Sequence, residues 1–293
     1  MYFDALTVLA VRDELSATLL GGRVQHVHLP DDQSLALEVY AEGQRHWLYA
    51  NWQPQQARVH LVAERPARAS DHVTPLLLLL RKYAGGARIE AVEQPPLERI
   101  LRLRLFNRLL DGTLVRTELV VEVLGRQSNV ILLDEDGAVL DAARRVDPEA
   151  SRTRVILPHW RYAPPAPQLK RDPRTLAPDE LRRAAEASPG RSPEELLVGA
   201  VDACSPLLAR EVISRAYGNG PATPRGPDWR RVADAMRGIW DDALNGRAVP
   251  SIAMQAGQIL AYAPYLLHCF RMWSPSQASA LPCGRGRRSE GAR

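Results

Sequence analysis

Through its first half the chain alternates apolar and polar residues in short runs broken by turn chemistry, which is the pattern of strands. Helical spacing interrupts it twice. Residues 4–20 place Val8, Val11, Leu15 and Leu19 near one helix face, and Asp4 stands at the start, where a carboxylate caps free N–H groups. Gly21-Gly22 end that helix by supplying the left-handed conformation. Strand-like runs follow at residues 23–29, 34–40, 45–51 and 57–63, separated by Asp31-Asp32, Glu42-Gly43 and Pro54. Thr74-Pro75 opens a second helix, LLLLLRKYAGG, apolar enough to be buried through its first turns and closed by Gly85-Gly86. Strands at residues 87–94 and 99–106 flank Pro95-Pro96-Leu97. In the second of these, Leu101, Leu103 and Leu105 alternate with Arg102 and Arg104, which predicts one core face and one wet, cationic face.

Residues 118–140 read as a hairpin pair. Val121, Val123, Val130 and Leu132 fall at period-two spacing, and Asp136-Gly137 marks the next turn. Between the strands lies Gly125-Arg126-Gln127-Ser128-Asn129. A guanidinium, a hydroxyl and an amide held at a hairpin end can bond a phosphate or a base edge, which makes Arg126, Ser128 and Asn129 candidate nucleic-acid contacts. The same Ser128 and Asn129 can instead satisfy the backbone of the turn.

Beyond residue 162 the pattern changes. Five prolines between Pro164 and Pro178 predict a linker over residues 166–178. Helices are expected at residues 178–187, after the capping box Ser192-Pro193-Glu194-Glu195, after Ser205-Pro206 as far as Gly218, and over residues 228–245. Two short helices around Asp202-Ala203-Cys204 resemble a helix-hairpin-helix, which offers backbone N–H groups to phosphate; a plain helical hairpin packed on its neighbours has the same pattern. Residues 252–262 look like returning strands around Gly257.

Composition narrows the class. The 293 residues suffice for two domains, and 45% hydrophobic with 25% charged residues is ordinary for a globular chain. The net charge of +4 comes wholly from the segment after Phe270, which holds five Arg and one Glu, so residues 1–270 sum to zero. Any basic surface must therefore be local. Three cysteines form no CxxC pair and no metal-ligand spacing, and no signal sequence or membrane-length apolar run occurs, so no metal, no cofactor and a cytoplasmic location are expected. No Ser-His-Asp spacing, phosphate-cradling glycine loop or HExxH appears, so a non-enzymatic role is expected.

FDAL near the N-terminus, GGRV at 21–24, ARVHL at 57–61, LLRKYAGGARI at 79–89, LERI at 97–100, EVLGRQSNVIL at 122–132, RTRVILPHWRYAPP at 152–165, SPLLAREVISRA at 205–216 and AYAPYLL at 261–267 stand in an order that resembles the NFACT family. These are ribosome-quality-control factors long labelled fibronectin-binding proteins. The resemblance implies an α+β fold. A mostly antiparallel β-sandwich domain like the formamidopyrimidine-DNA glycosylases would span residues 1–165, with a small all-α helix-hairpin-helix region at 179–246. Residues 247–270 would return to the N-terminal domain. It further implies binding to the large ribosomal subunit obstructed by peptidyl-tRNA and recruitment of alanyl-tRNA, so that a C-terminal tail marks the nascent chain. The family's tRNA-contacting residues match Asp4 and the pair Glu98-Arg99, with Glu98 where the family has Asp. An Arg fork beside a carboxylate can hold a base edge or phosphate. The extra methylene of Glu98 shifts the acceptor by about one bond length; an exposed ion pair at a strand start is the alternative reading.

Two other classes compete. A DNA glycosylase on this fold needs an N-terminal proline amine, whereas position 2 is Tyr2. A fibronectin-binding adhesin is the reading of the old label, and it lacks a signal sequence here. The family continues into coiled-coil arms, while residues 271–293 show a Gly/Ser/Pro/Arg composition expected of disorder and look like a truncated or frameshifted ending.

Overall fold

The computed structural model describes residues 3–67, 73–151, 153–218 and 227–270. Residues 271–293, and with them the expected disordered tail, lie outside the described residues. The chain divides into two compact units, Phe3–Lys170 and a second beginning at Arg171.

The first unit is built on one antiparallel sheet. Its strands are β1 (Arg23–His28), β2 (Ser34–Ala41), β3 (Gln44–Asn51), β4 (Arg58–Val62), β5 (Arg88–Glu93), β6 (Ile100–Arg108), β7 (Leu114–Glu122), β8 (Asn129–Asp134) and β9 (Val139–Ala142). They lie in the order β4-β3-β2-β1-β5-β6-β7-β8-β9. Seven strand spacings, roughly 34 Å on a flat sheet, separate β3 from β9. Yet Trp52, just past β3, lines the same 300 Å³ cavity as Asp141 and Ala142 of β9. The sheet therefore folds back on itself: the expected sandwich is one continuous sheet, not two.

The join between its halves is narrow. β1 and β5 share a single register pair, Arg23 with Arg88. Around it Gly21 N–H donates to Ile89 O, Ile89 N–H to Gly22 O, Val24 N–H to Ala87 O and Gly86 N–H to Val24 O. The two double-glycine segments, far apart in sequence, zip together here. Gly21 does stop helix α1 (Ala5–Leu19), at φ 79°, but its N–H serves the sheet rather than a helix carbonyl. Gly22 is required by space, because a Cβ there would stand 2.8 Å from Ala41 Cβ and 2.9 Å from Leu19 O.

Both helices enter the core that the folded sheet encloses. Val8, Val11, Leu15 and Leu19 of α1 sit among Val24, Leu37, Leu48, Ile89, Leu103, Val121, Val123, Val130 and Leu132. Ala5, Leu6 and Leu9 are buried too, so the first two turns are enclosed on more than the one face that periodicity predicts. Helix α2 (Pro75–Tyr83) is capped by Thr74, whose side chain accepts from Leu77 N–H; it buries Leu76, Leu77 and Leu80 but leaves Leu78 exposed. The outer face of β6 is less cationic than its alternation predicts. Arg102 pairs with Glu118 at 2.8 Å and Arg104 with Glu93 at 3.0 Å, which neutralises both.

The second unit packs α3 (Pro178–Glu186), α4 (Pro193–Ala200), α5 (Pro206–Tyr217) and α6 (Trp229–Leu244) in a ring of neighbours. Their buried faces carry Leu181, Leu196, Leu197, Leu208, Val212, Val232, Met236 and Trp240. The expected linker is only partly one. Arg171 already exchanges hydrogen bonds with Ala200 O and Asp202 N–H, and Leu176 is fully buried. Residues 247–270, expected to return to the N-terminal domain, belong to this second unit. Strands β10 (Ser251–Gln255) and β11 (Gln258–Ala263) form a separate two-stranded sheet. The turn after them is fixed by Glu211 of α5, fully buried, which accepts from His268 N–H at 2.7 Å, Cys269 N–H at 3.0 Å and Arg215 Nε at 2.7 Å.

Packing and charge each make a measurable difference here. Gly22→Ala should cost about 1–3 kcal/mol, read as a lower urea midpoint, because backbone and β-carbon atoms block the new methyl. Burial works against ionised Glu211, but Arg215 and the N–H groups of Cys269 and His268 outweigh it, so its carboxyl lies below the ordinary 4.5. A carboxyl depressed by folding stabilises above its unfolded value and loses that contribution as pH falls through the folded one. The stability difference between wild type and Glu211→Gln should therefore be full at neutral pH and shrink below about pH 4.5, followed by urea unfolding across pH.

Candidate nucleic-acid interface

The sequence candidates gather at one end of the first unit's sheet. β6 begins just after Glu98-Arg99, and Ile100 pairs with Glu122 at the end of β7, which in turn pairs with Asn129 at the start of β8. Arg99 O accepts from Val123 N–H at 2.8 Å, so the Arg99 backbone lies beside the strand that leads into the 125–127 turn. That turn is a single 3-10 turn, Gly125–Gln127, entered through Gly125 at φ 62°. The start of α1 joins the same end through Gln94. Its amide donates to Ala5 O at 2.9 Å and to Glu98 O at 2.7 Å, which ties the residue after Asp4 to the Glu98 backbone.

Within this cluster the candidates have different duties. Ser128 and Asn129, expected as nucleic-acid contacts, are buried and bonded to backbone. Ser128 Oγ accepts from Leu124 N–H at 2.8 Å. Asn129 donates to Arg144 O and accepts from Val130 and Arg144 N–H, so its amide clamps the 125–129 turn to the chain that leaves β9. Turn satisfaction, the alternative reading, is what these two residues do. Asp4 is buried as well, and its Oδ1 accepts from Thr7 N–H and Oγ1, both at 3.0 Å, as a helix cap. Arg99 and Arg126 are exposed and have no carboxylate partner among the described residues; Glu98 is half-buried.

Two residues of the site escaped the sequence reading. Arg144 is exposed and bonds Arg126 O, which adds a third guanidinium to this end of the sheet. Gln94 is the bridge just described. Nothing in its spacing marks Gln94, whereas Arg144-Arg145 is a visible basic pair after a strand.

Behind the arginines the sheet end is braced by a buried charge cluster. Glu122, fully buried, pairs with Arg154 and accepts from the Tyr162 hydroxyl at 2.7 Å. Arg102 and Arg154 flank the Tyr162 ring, at 5.9 and 5.6 Å from its centroid. Burial first, then the Glu122 carboxylate, pushes the Tyr162 hydroxyl well above its ordinary value, so it stays protonated and donates. Ile100, Val120, Ile131, Leu133, Val139 and Ile156 form a second apolar cluster, against which Tyr162 packs. This explains residues 153–165 physically: they close the outer face of the sheet behind the arginine cluster.

At the other expected contact, the turn between α4 and α5, the backbone is already engaged. Asp202 N–H donates to Arg171 O, Ala203 N–H to Asp202 Oδ1, and Leu208 N–H to Ser205 Oγ. Ala203 takes the left-handed conformation at φ 52°, where a glycine would be favoured. Among the described residues no group of three or more His, Cys, Asp or Glu is placed to hold a metal ion, and no helix is long and apolar enough to cross a membrane.

A folded-back antiparallel sheet with a small helical unit is an architecture shared with solved structures. The N-terminal part of the fibronectin/fibrinogen-binding protein of Streptococcus suis superposes with a TM-score of 0.74 at 24% identity, covering 96% of this chain and 95% of that one. The fibrinogen-binding protein of Staphylococcus aureus superposes with a TM-score of 0.75 at 20% identity over 92% of this chain and 93% of that one. These likenesses define the fold. Residues 4–277 match the family described as NFACT N-terminal and middle domains, and the chain belongs to that family. Among its relatives are proteins named Rqc2 homolog RqcH. That of Bacillus subtilis is 28% identical over 271 residues, 92% of this chain and 45% of that protein. That of Streptococcus suis is 30% identical over 187 residues, 62% of this chain and 33% of that protein. The chain thus spans less than half the length of these relatives.

Removing Arg154 strands a buried carboxylate, so Arg154→Ala should lower stability by about 3 kcal/mol or more by urea unfolding. Arg126→Ala, on an exposed side chain, should stay within about 0.5 kcal/mol of wild type.

Proposed function

We propose that this chain is the tRNA-binding part of a ribosome-quality-control factor. In this reading it works in the cytoplasm without catalysis and recruits alanyl-tRNA to large ribosomal subunits obstructed by peptidyl-tRNA, for C-terminal tailing of the stalled chain. Membership of the NFACT family over residues 4–277 carries the reading. The cluster of Arg99, Arg126 and Arg144 at one sheet end supports it, since exposed guanidiniums without counter-charge favour phosphate and base edges. Glu98 sits one residue before Arg99 and supplies an acceptor for an exocyclic amine. Asp4 contributes by shaping the α1 start that Gln94 ties to Glu98.

A second reading is favoured by one observation: the two superposed proteins are named for binding fibronectin or fibrinogen. The two readings separate in one experiment. The purified chain is offered a panel of tRNAs at near-physiological salt, and immobilised fibronectin and fibrinogen in parallel. Preferential binding of alanine tRNA, weakened about tenfold or more in Arg99→Ala at unchanged melting temperature, is the expected result. Equal weak binding of every RNA, unaffected by that substitution, would sink the site assignment. Tight binding to fibronectin alone would establish the second reading.

A further inference from the structure

Three arginines of the second unit converge on one cleft whose lining holds no acid. The space between α3 and α4 encloses about 300 Å³, walled by Arg171, Arg183 and Arg191 over Leu196, Gly199 and Ala200. Arg191 lies at its rim, shared with a neighbouring hollow that Glu194 and Glu195 line: a Cβ built on Gly199 would lie 3.3 Å from Arg191 Nη1, so that guanidinium rests against α4 at Gly199. None of the three is well neutralised. Arg183 Nε donates to the Asp179 carbonyl of its own helix at 3.3 Å. Arg171 has Glu180 at 3.9 Å, the outer limit of an ion pair, and the other oxygen of that carboxylate caps α3 by accepting from Ala177 N–H. Arg191 has no carboxylate partner among the described residues.

Like charges held around one concavity repel, and the repulsion falls when an anion enters. Guanidinium forks match the oxygens of a phosphate, and the missing side chain at Gly199 lets the Arg191 guanidinium lie close against α4. The lining offers no aromatic ring to stack a base and no side-chain amide to read one. The cleft therefore selects for phosphate and is indifferent to sequence. We infer that it is a phosphate seat for a backbone phosphodiester of the RNA that the chain binds, a contact separate from the Arg99–Arg126 end of the sheet. This rests on the tRNA-binding reading above. It lies between α3 and α4, not at the α4–α5 turn, whose N–H groups are already engaged.

The test measures tRNA affinity of the full chain by fluorescence anisotropy over a series of KCl concentrations. In Arg183→Gln/Arg191→Gln, both exposed side chains, affinity should drop about tenfold and the slope of log K against log salt should shrink by about one for each phosphate no longer neutralised. Arg182→Gln/Arg237→Gln removes the same charge from helix surfaces outside the cleft, so it should leave affinity within about twofold, which a long-range charge effect would not do. Unchanged affinity and slope in Arg183→Gln/Arg191→Gln, or an equal loss in Arg182→Gln/Arg237→Gln, while Arg99→Ala still weakens binding, overturns the phosphate seat and leaves the tRNA reading standing. If Arg99→Ala has no effect either, both fall. Inorganic phosphate supplies the other arm. A phosphate-dependent rise in Tm that vanishes in the double variant, with tRNA binding untouched, would assign the cleft to free phosphate and overturn the RNA source.

Discussion

The seam between β1 and β5 is the constraint on which the first unit depends. One register pair and a handful of backbone hydrogen bonds join two halves of a nine-stranded sheet. The buried donors there, Val24 and Ile89 N–H, would otherwise lack a partner, at a cost of about 1–3 kcal/mol each. Glycines stand on both sides, Gly21 and Gly86 because the chain turns there at φ 79° and 81°. Gly22 packs against Ala41 and Val39, and a Cβ at Gly85 would sit 2.5 Å from Arg81 O. With the seam closed, the sheet folds over α1 and α2 and one apolar core serves both halves.

The candidate interface is a consequence of that closure. The start of α1, the turn at Pro95–Glu98 and the β7–β8 turn come from three distant parts of the chain. They meet because α1 lies inside the folded sheet while Gln94 ties its first carbonyl to Glu98. The polar residues then divide by depth. Ser128, Asn129 and Glu122 are buried and bonded within the fold, whereas Arg99, Arg126 and Arg144 are exposed on the frame they hold. A clamped turn carrying cationic tips suits a polyanion, because little backbone entropy is lost when it binds.

The second unit repeats the division. Glu211 is buried at the centre of the hydrogen bonds and ion pairs that pin the turn after β11, and its environment raises the Cys269 thiol to about 12, by burial first and then by the carboxylate. That thiol stays protonated at neutral pH and serves packing. The arginines around the α3–α4 cleft are the reverse case, held near one another with little counter-charge. Buried acid organises this unit, and its exposed base is left with little counter-charge.

Much of this was legible in the chain itself. The alternation of Leu101, Leu103 and Leu105 and of Val121, Val123, Val130 and Leu132 located strands and their core faces. Asp4, Thr74, Ser192 and Ser205 marked the helix starts that they cap. Such features follow from spacing and backbone chemistry within a few residues, which is why sequence determines them. Depth and distance belong to the tertiary structure. An Asn that clamps a turn and an Asn that greets a phosphate have the same neighbours in sequence, and only burial showed that Asn129 is the first kind. The charge of β6 looked cationic until pairing brought Glu93 and Glu118 alongside. The partnership of Gly21-Gly22 with Gly85-Gly86, the bridge through Gln94 and the convergence of three arginines on one cleft link residues that the sequence leaves far apart, and packing alone decided them.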